Sequence, residues 1–216
     1  MTVLFDLDGT LTDPFEGITT CVQTALRHFG IDETDRRALA PYIGPPLRES
    51  FMERHGLSGE QADEALRVYR ERFSRVGLFE NRVYDGIPET LARLRAAGHR
   101  LAIATSKPTV FSVRILEHFE LAGFFDAIVG SELDGRRVDK AEVIAEALRR
   151  LDAPADETWM VGDRCFDVVG AHKNGLRALG VRYGYAAPGE LEEAGAEHIA
   201  DTVTAMRDFL MENGGR

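Results

Sequence analysis

At 216 residues the chain has room for one good-sized domain, or for a domain with a sub-domain inserted into it. A net charge of −10 opposes nonspecific binding to nucleic acid or an acidic membrane, while a small anionic substrate needs only a local positive site. No run approaches the roughly 18 to 20 apolar residues of a membrane span. No signal-peptide pattern opens the chain, and Cys21 and Cys165 lack metal-ligand spacing, so a cytoplasmic protein in a reducing compartment is expected.

The first ten residues carry the strongest local signal. Val3, Leu4 and Phe5 form a short apolar run that reads as a buried strand. It ends in Asp6 and Asp8, which alternation along an extended chain places on one side of the backbone. Two sheltered carboxylates resist joint ionisation, and a divalent cation such as Mg²⁺ with its preference for oxygen ligands offsets them. A plain polar turn reads the same way. An EF-hand calcium loop does not, because its twelfth position falls on Gly17, where a bidentate Glu is required.

After Asp13-Pro14 the period changes. Ile18, Val22, Ala25, Leu26 and Phe29 make a helical stripe over 15–29, closed by Gly30. Residues 33–40, 46–55 and 59–77 also read as helices, and 14–83 shows no convincing strand. From Asp85 onward strands and helices alternate. Helices are expected at 88–97, 109–119, 140–151, 166–174 and 202–212, with strands at 101–104, 127–129, 158–161 and 178–181. This pattern predicts an α/β fold, a Rossmann-like parallel sheet covered on both faces. The core is expected over 1–13 and 84–216, with an all-helical cap over 14–83 inserted after the first strand. Ligands of such sheets sit outside the carboxyl ends of the strands, where an insertion after strand one would act as a lid.

Three more strand ends carry polar groups. Thr105 and Ser106 end one strand, where hydroxyls and bared N–H groups suit a phosphate, or simply cap a helix. Lys140 opens the helix that runs through Val143, Ile144 and Leu148, either facing the strand ends or lying on the surface. In Val161-Gly-Asp163-Arg-Cys-Phe-Asp167 a glycine turns the backbone, and two further aspartates gather at a helix start. They either join Asp6 and Asp8 around one metal or serve as helix N-terminal charges.

Taken together, Asp-x-Asp-Gly-Thr, a strand-end Thr, a Lys and Gly-Asp-x-x-x-Asp resemble the haloacid dehalogenase superfamily. The resemblance spans essentially the whole chain, including a helical cap. It is nearest to the phosphoglycolate phosphatase-like branch through Thr12-Asp13-Pro14, Ile43-Gly-Pro-Pro-Leu-Arg48-Glu-Ser-Phe51, Thr105-Ser-Lys-Pro108 and Val161-Gly-Asp-Arg164. The resemblance implies a phosphatase acting through an aspartyl-phosphate. Asp6 would be the nucleophile and Asp8 the general acid, then base. Mg²⁺ would be held by Asp6, the carbonyl of Asp8, and Asp163, with Asp167 supporting it. Thr105, Lys140 and the backbone N–H groups near Gly9 and Ser106 would hold the phosphoryl oxygens, and Arg48 of the cap would contact substrate. The lysine motif Val138-Asp-Lys-Ala-Glu142 departs from the Gly-Lys-Pro-x-Pro of many relatives, which leaves the substrate class open.

The expected substrate is a small phosphorylated metabolite: phosphoglycolate, a sugar or nucleoside 5′-monophosphate, or pyrophosphate. A phosphomutase uses the same residues. A phosphorelay receiver domain shares the acidic cluster, but a helical block this large does not fit one. A cysteine phosphatase is suggested only by Cys21-x5-Arg27, whose intervening residues contain no glycine to bare a phosphate cradle. No nucleic-acid or membrane partner is expected, and the chain is read as a monomer or homodimer.

Overall fold

The computed structural model describes residues 1–213; the last three residues of the expected core segment 84–216 lie outside the described residues. The chain divides into two compact units, Met1–Asp13 with Val83–Arg216, and Pro14–Arg82.

The first unit is built on a six-stranded sheet in the order β5-β4-β1-β6-β7-β8. Its strands are β1 (Thr2–Phe5), β4 (Arg100–Pro108), β5 (Ala127–Ser131), β6 (Thr158–Gly162), β7 (Arg177–Val181) and β8 (His198–Ala200). Every pairing is parallel, from β1 against β4 and β6 out to β7 against β8. The short β2 (Thr12–Asp13) and β3 (Arg82–Val83) mark where the chain leaves this unit and returns. Parallel strands need crossovers, and α4 (Ile87–Ala96), α5 (Thr109–His118), α6 (Lys140–Leu151), α7 (Cys165–Lys173) and α9 (Val203–Asn213) supply and flank them. Strands buried on both faces read as continuous apolar runs. That is why Val3, Leu4 and Phe5 are fully buried, with Met160 and Val161 beside them. One face packs against Val143, Ile144 and Ala147 of α6 and Val168 and Ala171 of α7.

Two edge elements carry no sequence signal of their own. β8 has three residues, and the helix α8 (Glu190–Glu193) has four, too short for any period to show. β4 also runs four residues past the expected end at Ala104, with a register shift between Ala104 and Pro108.

The second unit is helical: α1 (Phe15–His28), α2 (Leu47–His55) and α3 (Gly59–Arg72). The stretch expected as a helix over 33–40 is instead a 3₁₀ segment, Arg36–Tyr42, started by the Asp35 carboxylate and containing Pro41, which cannot sit in an α-helix interior. Helix α3 stops at Arg72, short of the expected 77, and continues as a π turn over Phe73–Gly77. Two glycines explain the local geometry. A Cβ on Gly17 would stand 2.1 Å from the carbonyl oxygen of Gly77, and one on Gly77 would stand 2.7 Å from Cys21 Sγ. Tyr42 and Phe51 pack at 5.1 Å between ring centroids, and Arg72 pairs with Glu80 at 2.6 Å. Cys21 is buried inside α1, so Cys21-x5-Arg27 is helical and offers no phosphate cradle. Among the described residues no helix is long and apolar enough to cross a membrane.

Candidate active site

The carboxyl ends of β1 and β6 bring Asp6, Asp163 and Asp167 together. One oxygen from each lies within 4.8 Å of the others, and all three side chains are buried. Asp6 leaves β1 on a backbone N–H bond to the Val161 carbonyl at 2.9 Å, which ties the two strand ends together. Lys140, the first residue of α6, is aimed into the cluster by an N-terminus that Asp139 caps through the Ala141 N–H at 2.7 Å. Its Nζ lies 3.0 Å from Asp6 Oδ1 and 2.7 Å from Asp167 Oδ1, and donates to the Ala104 carbonyl at 3.1 Å. Burial alone would lower the Lys140 pKa, but the attraction of Asp167 and Asp6 outweighs it and raises it, so the ammonium is kept.

Asp8 points elsewhere. Its Oδ2 lies 2.7 Å from Lys107 Nζ, and both side chains are largely buried. Burial raises the Asp8 pKa and Lys107 works against that rise. Lys107 is the residue sequence reading passed over. It lies beyond the expected end of β4, where the only signal was the Thr105-Ser-Lys-Pro run itself.

Asp163 is held from both sides. Thr10 Oγ1 donates to its Oδ1 at 3.3 Å, and the backbone N–H of Tyr185 donates to its Oδ2 at 2.8 Å. Its pKa is raised well above the usual carboxylate value, first by burial and then by Asp167 and Asp6. The segment after β7 makes this possible. Tyr183 donates to the Thr10 carbonyl at 3.0 Å, and the Tyr185 hydroxyl donates to Asp13. Between them Gly184 has no room for a side chain: its Cβ would stand 2.4 Å from both Asp163 Cβ and the Gly9 carbonyl oxygen. Gly184→Ala is therefore expected to lower stability by about 1–3 kcal/mol, as overpacking of a fixed interior does, read by urea unfolding. Gly9 has φ +81°, and the space its Cβ would take is filled by the Asp163 carboxylate at 2.1 Å.

The expected phosphate contacts need one correction. The Gly9 N–H donates to the Thr12 carbonyl at 2.7 Å, within a tight turn in which the Leu7 carbonyl accepts from Leu11 and Thr12, so it is not available to a ligand. Among the described residues, the N–H groups of Leu7 and Asp8 carry no such bond. Thr105, buried, accepts the Lys107 N–H on its Oγ1 at 3.3 Å and keeps its hydroxyl proton to donate. Ser106 is half-buried, and its carbonyl accepts from Ser131 Oγ at 2.7 Å. Arg48 belongs to the helical unit, where its guanidinium pairs with Asp63 at 2.6 Å.

The charges decide what the cluster can hold. Four buried carboxylates, Asp6, Asp8, Asp163 and Asp167, face two buried ammonium groups, Lys107 and Lys140. The carboxyl groups outnumber the ammonium groups by two. Asp6 Oδ1 and Asp167 Oδ1 share the single ammonium of Lys140, and Asp8 Oδ1 is buried with no partner at all. Buried carboxyl oxygens that outnumber the cations beside them suit a hard divalent cation.

A strand-end carboxylate cluster of this kind, on a parallel sheet interrupted after its first strand, defines a class. Residues 3–181 match the model of the haloacid dehalogenase-like hydrolases, and the chain belongs to that family. It is 49% identical over 208 residues to a 5′-nucleotidase of Pseudomonas aeruginosa, covering 96% of this chain and 94% of the relative. It is 39% identical over 210 residues to the tyrosine-protein kinase PtkA of Mycobacterium tuberculosis, covering 96% of this chain and 72% of the relative. Among solved structures, a predicted phosphatase from Clostridium acetobutylicum superposes with a TM-score of 0.95 at 49% identity, covering 98% of each chain.

Proposed function

We propose that the chain is a Mg²⁺-dependent phosphatase that hydrolyses small phosphomonoesters through an aspartyl-phosphate on Asp6. The observation that carries this reading is the buried Asp6-Asp163-Asp167 cluster with Lys140 set into it and Asp8 beside it. The carboxylates of Asp6, Asp163 and Asp167 and the carbonyl of Asp8 would hold Mg²⁺. The ion would neutralise phosphoryl oxygens as the ester cleaves.

On this reading, Asp6 attacks phosphorus with the carboxylate oxygen that Lys140 leaves free. Asp8 protonates the departing ester oxygen and then takes a proton from the water that releases phosphate. The Thr105 hydroxyl and the unpaired N–H groups of Leu7 and Asp8 orient the phosphoryl group. Lys140 places its ammonium between the carboxyl groups of Asp6 and Asp167 and holds them side by side. Nucleoside 5′-monophosphates head the substrate panel because the relative at 49% identity carries the name 5′-nucleotidase. Phosphoglycolate, sugar phosphates and pyrophosphate complete it.

The test is phosphate release from this panel, with and without Mg²⁺. Release that EDTA stops and Mg²⁺ restores supports the reading. Equal release in EDTA, or transfer to an alcohol acceptor with no hydrolysis, overturns it.

The pH dependence of Mg²⁺ binding has a definite sign. A carboxyl whose pKa is raised, as that of Asp163 is, must give up its proton to become a ligand. Thermal-shift titrations are therefore expected to show tighter Mg²⁺ binding near neutral pH than at acidic pH. Affinity that is flat with pH contradicts it.

A further inference from the structure

We propose that Lys107 is a positioning residue that clamps Asp8 by one carboxylate oxygen, so that the other oxygen is the one that delivers the proton to the leaving group. The inference rests on the general-acid role given to Asp8 above and extends it to a residue that role does not include.

The two oxygens of Asp8 are not equivalent. Oδ2 lies 2.7 Å from Lys107 Nζ, whereas Oδ1 is buried with no partner. A carboxylic acid that must protonate a departing oxygen needs one oxygen held and one unencumbered. Held at neither, it rotates about χ2; held at both, its proton has nowhere to go. The Lys107 side chain is itself only 6% exposed, so its ammonium is confined.

The backbone shows how Lys107 comes to be there. β4 pairs regularly with β5 up to Ala104, then shifts register before Pro108. Irregularities of this kind re-aim side chains at the ends of strands. Here the shift carries Thr105 and Lys107 together, joined by the Lys107 N–H bond to Thr105 Oγ1 at 3.3 Å. The two lysines divide the work: Lys140 serves Asp6 and Asp167, and Lys107 serves Asp8. In the step concerned, a bond forms from an Asp6 oxygen to phosphorus as the bond from phosphorus to the leaving oxygen breaks. The proton passes from Asp8 Oδ1 to that oxygen, which leaves Asp8 ionised beside the Lys107 ammonium.

The experiment compares two leaving groups. p-Nitrophenolate departs without needing a proton, whereas an alkoxide needs one. For Lys107→Met, kcat/KM for the fastest alkyl monoester of the panel is expected to fall about 10²-fold more than for p-nitrophenyl phosphate. Lys107→Arg, which keeps a buried cation, is expected to recover most of that difference. The comparison is a ratio within one preparation, so the fraction of folded enzyme cancels. Where Lys107→Met yields too little protein, the uncharged Lys107→Gln takes its place.

Equal losses on both substrates would make Lys107 a structural residue only and overturn the proposal. Asp8→Asn runs alongside. If it is selective against the alkyl ester while the Lys107 variants are not, the Lys107 inference fails and the role of Asp8 stands. If Asp8→Asn itself loses equally on both substrates, the general-acid reading fails first.

Discussion

Asp6→Asn is expected to lose phosphate release by a factor on the order of 10⁴ or more while remaining folded. The amide has the shape of the carboxylate but neither its charge nor its nucleophilic oxygen. Its effect on stability runs the other way. The wild-type cluster crowds four buried carboxyl groups around two ammonium groups, and the substitution removes one of the carboxyls. Without Mg²⁺ the variant should therefore unfold no earlier than the wild type, and the stabilisation that Mg²⁺ confers should shrink. Activity assays together with thermal unfolding, with and without the ion, check both halves. Wild-type turnover of p-nitrophenyl phosphate by this variant would remove the aspartyl-phosphate mechanism.

Lys140→Met should have the largest effect on the fold. Removing one partner of a buried ion pair typically costs about 3–5 kcal/mol, because the other partner is left charged and unpaired. Here one ammonium serves both Asp6 and Asp167, so a value at the upper end of that range is expected for the metal-free protein. The sign of the pH dependence follows from Asp167. Its pKa is raised by burial, a rise that Lys140 opposes. A carboxyl held above its unfolded pKa binds protons more readily in the folded chain, so stability falls as pH rises through that interval. Removing Lys140 widens the interval. Lys140→Met should thus lie closest to the wild type in acid and fall furthest behind near neutral pH, with Mg²⁺ recovering part of the loss. Urea unfolding at two pH values measures this. A loss that does not change with pH would mean that the lysine stem, not its charge, supports the site.

How much of this was legible in the sequence varies element by element. The α/β alternation was readable because the central strands are short apolar runs closed by glycine or a polar residue, and helical stretches of about ten residues separate them. Asp6, Asp163, Asp167 and Lys140 were readable because each sits at a strand end or helix start, where an apolar run stops and a polar group has nothing local to do. The segment 33–40 was misread because Pro41 sits just past it, and a 3₁₀ segment carries no distinctive period. β8 and α8 were missed because three or four residues contain less than one full repeat of either pattern. The Gly9 amide was misassigned because only a tight turn back to Thr12 reveals that it is already spent.

The sequence by itself determined the chemical inventory: which carboxylates, hydroxyls and ammonium groups stand at the ends of which strands. Those are local properties, set by neighbours along the chain. Only the tertiary structure decided the pairing, with Lys140 on Asp6 and Asp167, Lys107 on Asp8, and the Tyr185 amide on Asp163. These partners belong to segments far apart in the chain. They meet through the order and register of parallel strands, and through one irregularity at the end of β4 that no local pattern announces.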